Sequence, residues 1–188
     1  MESKLKLYNR MMSSLRELSH DFVGESSEAI QKRVLLMEEF RVSLRIGLYA
    51  PMPGEVLTDK IFIEANRHRK EVYFPMVDEA AGALAFCRVA DLEELKPGYA
   101  GILEPSICHS RLRHLNALDV VIVPGIAFDL HGGRMGYGKG YYDDCLLGYR
   151  GKRVALAFDF QIVPELPMGV RGRKVDWIVT EKRVIRCQ

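Results

Sequence analysis

The sequence predicts an α/β protein built on a mostly parallel sheet, and three observations carry the prediction. Short apolar runs recur at residues 45–50, 71–77, 120–123, 153–159 and 175–180, as buried strands do. The first two flank a helical stretch near residues 58–68, the strand–helix–strand order of a parallel unit. With 188 residues, 48% of them hydrophobic and 28% charged, the chain suits a single domain with a sizeable core.

Residues 2–18 place Leu5, Met11, Met12, Leu15 and Leu18 at roughly helical spacing, with Lys4, Lys6, Arg10 and Arg16 on a basic side. An N-terminal helix packed on the domain is therefore expected. Lys6 and Arg10 stand four apart and share a helix face, where like charges repel unless an anion lies between them. The plain alternative is a solvated surface. A second helix is expected from a Ser26-Ser27 cap to about Val42, with Ile30, Val34 and Met37 on one stripe.

Arg45 to Ala50 reads as a strand ending at the rigid turn Pro51-Met52-Pro53-Gly54. Glu55 follows, just ahead of a helix capped by Thr58 and running to about His68. Glu71 to Val77 is the next strand, its Pro75 pointing to an end or edge position. Ala83 to Val89 is a further strand, antiparallel because the linker before it is too short for a crossover. Residues 91–117 read mostly as loop, with a short helix near Leu112.

Residues 119–146, DVVIVPGIAFDLHGGRMGYGKGYYDDCL, organise the rest. The buried run Val120 to Val123 leads to a cluster in which Gly132, Gly133, Gly136, Gly138 and Gly140 are interleaved with Arg134, Tyr137 and Lys139. Glycines this dense let backbone N–H groups approach a ligand, and the two cations favour an anion, most often a phosphate. Tyr141 to Leu146 reads as the first turn of a helix with acids at its positive end, giving strand, phosphate loop, helix. Gly133, Gly138 and Lys139 match part of a P-loop, but Gly140 stands where the metal-binding hydroxyl belongs. The dinucleotide fingerprint fails on spacing, and the absence of a G-x-S-x-G removes the esterases. What remains is a nucleotide-phosphate loop of another kind, for which Mg²⁺ is expected. Asp143 is the best-placed carboxylate for it, with Asp144 and Asp129 as alternatives. Tyr141 and Tyr142 could stack on an aromatic ligand or belong to the core.

A net charge of +2, with 27 basic residues against 25 acidic, implies no nucleic-acid partner. Cys87, Cys108, Cys145 and Cys187 form no CxxC pair, which argues against a structural zinc site and a disulfide-stapled fold. Four free thiols in a reducing cytosol are expected. No apolar run reaches a membrane span and no signal-peptide core leads the chain, so a cytoplasmic location is expected.

The segment VPGIAFDLHGGRMGYGKGYYD, residues 123–143, resembles the signature of the 5-formyltetrahydrofolate cyclo-ligases, also called methenyltetrahydrofolate synthetases. Weaker similarities fall in the right order along most of the chain: Lys6-x-x-x-Arg10, Met52 to Glu55 with Thr58, Gly101 to Pro105, Ala155 to Asp159 with Gln161, and Val175-Asp176 with Ile178 to Glu181. The resemblance implies a three-layer α/β/α sandwich similar to the phosphosugar isomerase and CoA transferase-like folds, spanning residues 1–188 as a single domain. It implies ATP- and Mg²⁺-dependent closure of 5-formyltetrahydrofolate to 5,10-methenyltetrahydrofolate by a monomer acting on small molecules. Carried over, Arg134 and Lys139 would be catalytic. Lys6, Arg10, Arg134, Gly136, Tyr137, Gly138, Lys139, Gly140 and Tyr141 would bind ATP. Met52, Glu55 and Tyr142 would bind the folate, and Asp143 and Asp176 the metal. Tyr137 stands where some members have arginine, and Arg171-Gly172 where many have an aspartate four residues before Asp176. Aligning the N-terminus by Ser19 instead would put Tyr8 in the arginine's place. These departures keep two other readings in view, a diverged relative acting on another formyl or pterin-like substrate and a non-catalytic nucleotide- or folate-binding protein.

Overall fold

In the computed structural model, which describes residues 2–78, 82–106, 112–167 and 174–187, three helices lead the chain. The first, α1 (Lys4–Arg16), is capped by the Ser3 hydroxyl, which accepts from the Lys6 N–H; it buries Leu7, Met11 and Leu15 on one stripe. The second, α2 (His20–Leu36), starts at a Ser19 cap and not at Ser26-Ser27. Those two serines are buried within α2, where the Ser27 hydroxyl accepts the Leu57 N–H at 3.0 Å. A hydroxyl with a tertiary partner no longer competes for its own backbone, so it marks no boundary. Extended backbone at Met37 ends α2 before α3 (Glu38–Val42), and the single expected helix is two.

The chain then runs β1 (Arg45–Gly47), α4 (Asp59–Arg67), β2 (Glu71–Asp78) and β3 (Ala83–Val89). The stretch expected as loop contains a hairpin of β4 (Leu95–Pro97) and β5 (Leu103–Pro105). Leu112 lies in a short strand, β6 (Leu112–Arg113), paired with β3, rather than in a helix. After β7 (Val120–Val123) the glycine cluster folds into a second hairpin, β8 (Ala127–Asp129) and β9 (Arg134–Met135), before the one-turn α5 (Tyr141–Cys145). The expected strand–loop–helix unit is thus strand–hairpin–loop–turn. The chain closes with β10 (Lys152–Leu156), β11 (Ile162–Val163), β12 (Trp177–Val179) and β13 (Val184–Arg186).

Eight strands form one sheet in the order β13-β12-β10-β7-β1-β2-β3-β6, and β11-β8-β9 form a smaller one. The pairings from β12 through β10, β7 and β1 to β2 are parallel, and the flanking pairings are antiparallel. Strand order reverses between β1 and β7, the topological switch point at which open α/β sheets bind ligands. Alternation along the strands divides the core. Val120, Ile122, Val154 and Leu156 face the layer of α1, α2 and α4; Val121, Val123, Ala155 and Ala157 face Leu118, Phe128, Leu146 and Tyr149. This is the three-layer α/β/α arrangement, with a second outer layer built from turns, α5 and the small sheet.

Cys87 is disulfide-bonded, which overturns the reading of four free thiols; Cys145 and Cys187 are free. Arg171-Gly172 lies outside the described residues. Among the described residues no helix is long and apolar enough to cross a membrane.

Candidate active site

A cavity of about 470 Å³ opens at the carboxyl ends of β1 and β7, at the switch point. Tyr49, Met52 and Glu55 reach it from the segment after β1, Pro124 from the end of β7, and Gly136 to Asp143 from the loop and α5. Pro75 and Val77 of β2 close another side, together with Tyr99, Ile102 and Glu104 of the β4–β5 hairpin. Pro75 is tolerated in an inner strand because β1 pairs with β2 only as far as Tyr73. Beyond that point alternate β2 amides face a gap: Pro75 has no N–H to satisfy, and the Val77 N–H is taken by Glu104 Oε1 at 3.2 Å.

One end of the cavity is cationic. Arg134 is 3% exposed; it donates to the Pro124 carbonyl at 3.1 Å, pairs with Asp143 and lies 5.5 Å from the centre of the Tyr142 ring. Its Nε is buried without a partner. Lys139 is exposed and makes no ion pair among the described residues. It stands between Gly138 (φ +95) and Gly140 (φ +80), both in the left-handed region, and nothing lies within 4 Å of a Cβ built on Gly138. The glycine cluster therefore divides by role. Gly138 and Gly140 form an open arc, whereas Gly133 is tied to folding: a Cβ there would meet Asp129 Oδ2 at 2.6 Å. Asp129 accepts the N–H groups of His131, Gly133 and Leu166 at 3.0, 2.8 and 3.1 Å, so one oxygen organises the hairpin and the other ties it to the segment after β11.

The other end is apolar around one acid. Glu55 is 6% exposed; its Oε2 accepts the Met52 N–H at 2.8 Å, and its Oε1 is buried without a partner. Burial pushes this carboxyl up to about 7, against the opposing pull of the Met52 N–H and the Tyr137 hydroxyl. The Tyr137 hydroxyl acts on the carboxyl without reaching strict hydrogen-bond geometry to Oε1. Burial also raises the phenols of Tyr49, Tyr137 and Tyr142, and the Glu55 charge adds to each. An acid with an unfilled acceptor in an apolar wall is suited to a ligand that brings N–H donors.

The structure brings Met52, Glu55, Arg134, Gly136, Tyr137, Gly138, Lys139, Gly140, Tyr141, Tyr142 and Asp143 around one cavity. Three of the expected residues lie elsewhere. Lys6 and Arg10 are on the exposed face of α1, with Arg10 paired to Glu2 at 2.8 Å. Tyr8 of the same helix faces inward, close enough to Tyr137 to act on its phenol. Asp176, expected at the metal, precedes β12 at the amino edge of the parallel sheet, opposite the cavity. There its Oδ2 accepts the Arg153 N–H at 2.7 Å and its Oδ1 lies 3.6 Å from the Arg153 guanidinium. It ties β10 to β12 and cannot share an ion with Asp143. No three metal-ligating side chains converge among the described residues. Sequence reasoning missed the Pro75–Val77 and Tyr99–Glu104 sides; Pro97-Gly98 and Glu104-Pro105 were the available signals of a hairpin there.

Fold and cavity define a class: a doubly wound α/β protein with a cavity at the switch point, cationic at one end and apolar around a buried acid at the other. Residues 1–181 match the 5-formyltetrahydrofolate cyclo-ligase family, and the chain belongs to this family of ligases. A Caenorhabditis elegans protein described as a probable 5-formyltetrahydrofolate cyclo-ligase is 28% identical over 196 residues, covering 98% of this chain and 95% of its own. The solution structure of Aquifex aeolicus 5,10-methenyltetrahydrofolate synthetase superposes with a TM-score of 0.88 at 34% identity, covering 98% of this chain and 93% of that one. The Mycoplasma pneumoniae 5,10-methenyltetrahydrofolate synthetase shares the fold, with a TM-score of 0.75 at 21% identity over 96% of this chain and 99% of that one.

Proposed function

We propose that the chain closes the ring of 5-formyltetrahydrofolate to 5,10-methenyltetrahydrofolate, consuming ATP and releasing ADP and phosphate. The observation that carries this reading is the cavity with two unlike ends, a glycine arc with Lys139 and Arg134 at one and Glu55 among phenols at the other. Such a cavity suits the joining of a polyphosphate to an aromatic, N–H-bearing heterocycle. In this chemistry the formyl oxygen on N5 attacks the γ-phosphorus and ADP leaves. N10 then attacks the formyl carbon of the phosphorylated imidate, and as the ring closes phosphate departs with the oxygen and N10 gives up its proton. Phosphorylation turns a poor oxygen leaving group into a good one, and the protein's task is to place charge and exclude water.

Arg134 is held by the Pro124 carbonyl and Asp143, so its charge is preorganised. Lys139 is exposed by comparison and would reach the transferring phosphoryl group, with Gly138 and Gly140 leaving room for the phosphates and Gly136 for the Arg134 guanidinium. Tyr141 would border the nucleotide, while Lys6 and Arg10 would meet only a part of it that projects beyond the cavity. Met52 and Tyr142 would border the pterin, whose ring N–H donors suit the unfilled Glu55 Oε1. Mg²⁺ carried by the nucleotide would neutralise phosphate charge. Asp143 fits it: Oδ1 pairs with Arg134, Oδ2 accepts no hydrogen bond among the described residues, and Mg²⁺ commonly takes one or two protein carboxylates beside phosphates and water.

The test mixes folded protein with Mg·ATP and 5-formyltetrahydrofolate and follows the near-ultraviolet absorbance of the methenyl product. An ATP-dependent rise is expected. No rise, with either ligand shown to bind, would replace the ligase reading by that of a binding protein.

A further inference from the structure

Gln161 is 3% exposed, ends the helical turn Asp159–Gln161 that follows β10, and does not line the cavity. It lies just beneath it, sharing a small space with Tyr49, Glu55 and Pro124, which line both. Its amide is held in one orientation. Oε1 accepts the Phe158 N–H at 2.8 Å, and Nε2 donates to the carbonyls of Gly125 at 2.8 Å and Ile126 at 3.0 Å. Building on the ligase reading, we propose that Gln161 is a positioning residue for Arg134: its amide fixes the Pro124–Ile126 turn against which the guanidinium assigned to the phosphates is held.

Turn and guanidinium form one assembly. Pro124, Gly125 and Ile126 present three successive carbonyls. Arg134 donates to the first at 3.1 Å and Gln161 to the other two, and among the described residues no backbone N–H reaches any of them. Gly125 also supports the arginine's stem: a Cβ built on it would lie 3.2 Å from Arg134 Cγ and 2.5 Å from Phe128 Cζ. A shift of the turn therefore moves the stem's support and the Pro124 carbonyl together. The Ile126 N–H donates to the Met135 carbonyl at 2.7 Å, beside Arg134 itself, whereas Gln161 reaches the turn from outside the hairpin and references it to β10. The residue type matters. An apolar side chain would strand two carbonyls and the Phe158 N–H, and only an amide of this length both accepts from one and donates to the others. Arg134 is poorly placed to compensate, since its Nε already lacks a partner. A fixed charge stabilises a transition state only while it is held where charge develops, so the support of the turn bears on the rate.

Gln161→Met keeps the length of the side chain and removes all three hydrogen bonds. In the unliganded protein, ¹⁵N NMR of the arginine side chains follows Arg134, with Arg134→Lys identifying its signals. Those signals are expected to shift and to exchange with solvent faster in Gln161→Met. In turnover, kcat should fall about tenfold with both KM values within about threefold, a part of the roughly hundredfold or more that loss of a preorganised donor costs. Gln31→Met is the control for plain destabilisation: Gln31 is 1% exposed, and its Oε1 accepts the Lys60 and Ile61 N–H groups at 2.8 and 3.2 Å at the start of α4. It should lower the urea midpoint by a similar amount and leave the Arg134 signals in place. Gln161→Glu keeps an acceptor for the Phe158 N–H and, when protonated, one donor. Its kcat relative to the wild type should therefore rise as pH falls from about 8 to about 6, and it carries the test if Gln161→Met does not fold. Unmoved Arg134 signals, or a kcat within about twofold of the wild type, overturn the proposal. So does an equal disturbance of the Arg134 signals by Gln31→Met, which would make the effect one of general loosening. An inactive wild-type protein would count against the ligase reading instead, and the NMR arm would still decide the link between Gln161 and Arg134.

Discussion

Asp143→Ala is expected to destabilise the fold whether or not a metal is present. The carboxylate pairs with Arg134, whose side chain is 3% exposed, while that of Asp143 is 24% exposed. Breaking a fully buried pair costs about 3–5 kcal/mol because a charge is left uncompensated, and an exposed pair is worth about 0–1. With one partner a quarter exposed, about 2–3 kcal/mol is expected. Arg134 would keep the Pro124 carbonyl and the Tyr142 ring, but its Nε already lacks a partner, so it has little to fall back on. At a slope of about 2 kcal/mol per M urea, the midpoint should fall by about 1–1.5 M with the slope unchanged. The measurement is made in chelator without nucleotide, which removes any contribution from metal. Arg134→Met combined with Asp143→Ala should cost less than the sum of the two single changes, since the pair is then removed together. A midpoint shift below about 0.25 M for Asp143→Ala, roughly 0.5 kcal/mol, would refute the reasoning and leave Asp143 as a ligand-binding residue only.

Glu55 sets a pH dependence of stability. Its carboxyl rises from an ordinary 4.5 to about 7 on folding, so between those values the folded state holds more protons and stability falls as pH rises. Urea denaturation should find Glu55→Gln gaining on the wild type from pH 5 to pH 8 by up to roughly 3 kcal/mol; a constant difference would contradict the burial argument. Lys139→Ala, at an exposed side chain, should leave stability within about 0.5 kcal/mol. Calorimetry with a non-hydrolysable ATP analogue should show at least about tenfold weaker binding for it, the loss of a charge-assisted contact; full retention would remove Lys139 from the nucleotide site. Asp176→Asn should cost about 1 kcal/mol through Arg153 and leave the Mg²⁺ dependence of turnover unchanged. A raised Mg²⁺ requirement would return Asp176 to the metal.

Local pattern was enough to place the strands β1, β2, β3, β7, β10 and β12, because a run such as Val120 to Val123 is apolar on both faces and only a buried strand satisfies both. It was also enough to single out Gly138, Lys139 and Gly140, since dense glycine beside cations is a chemical statement that needs no partner strand. Boundaries set by tertiary contacts were not legible: Ser27 looks like a cap until Leu57 takes its hydroxyl, and Leu112 joins a sheet only because β3 offers an edge. Tertiary structure alone decided which acids act where. In the sequence Asp129 is an alternative metal carboxylate, Asp143 the favoured one and Asp176 one that the resemblance adds. Folding gives the first to backbone amides and the second to Arg134 in the cavity, and carries the third to the opposite edge of the sheet. The reason is physical: a strand's existence follows from its own side chains, whereas the end of the sheet at which a carboxylate emerges, and the groups it meets there, depend on strand order and direction across the whole chain.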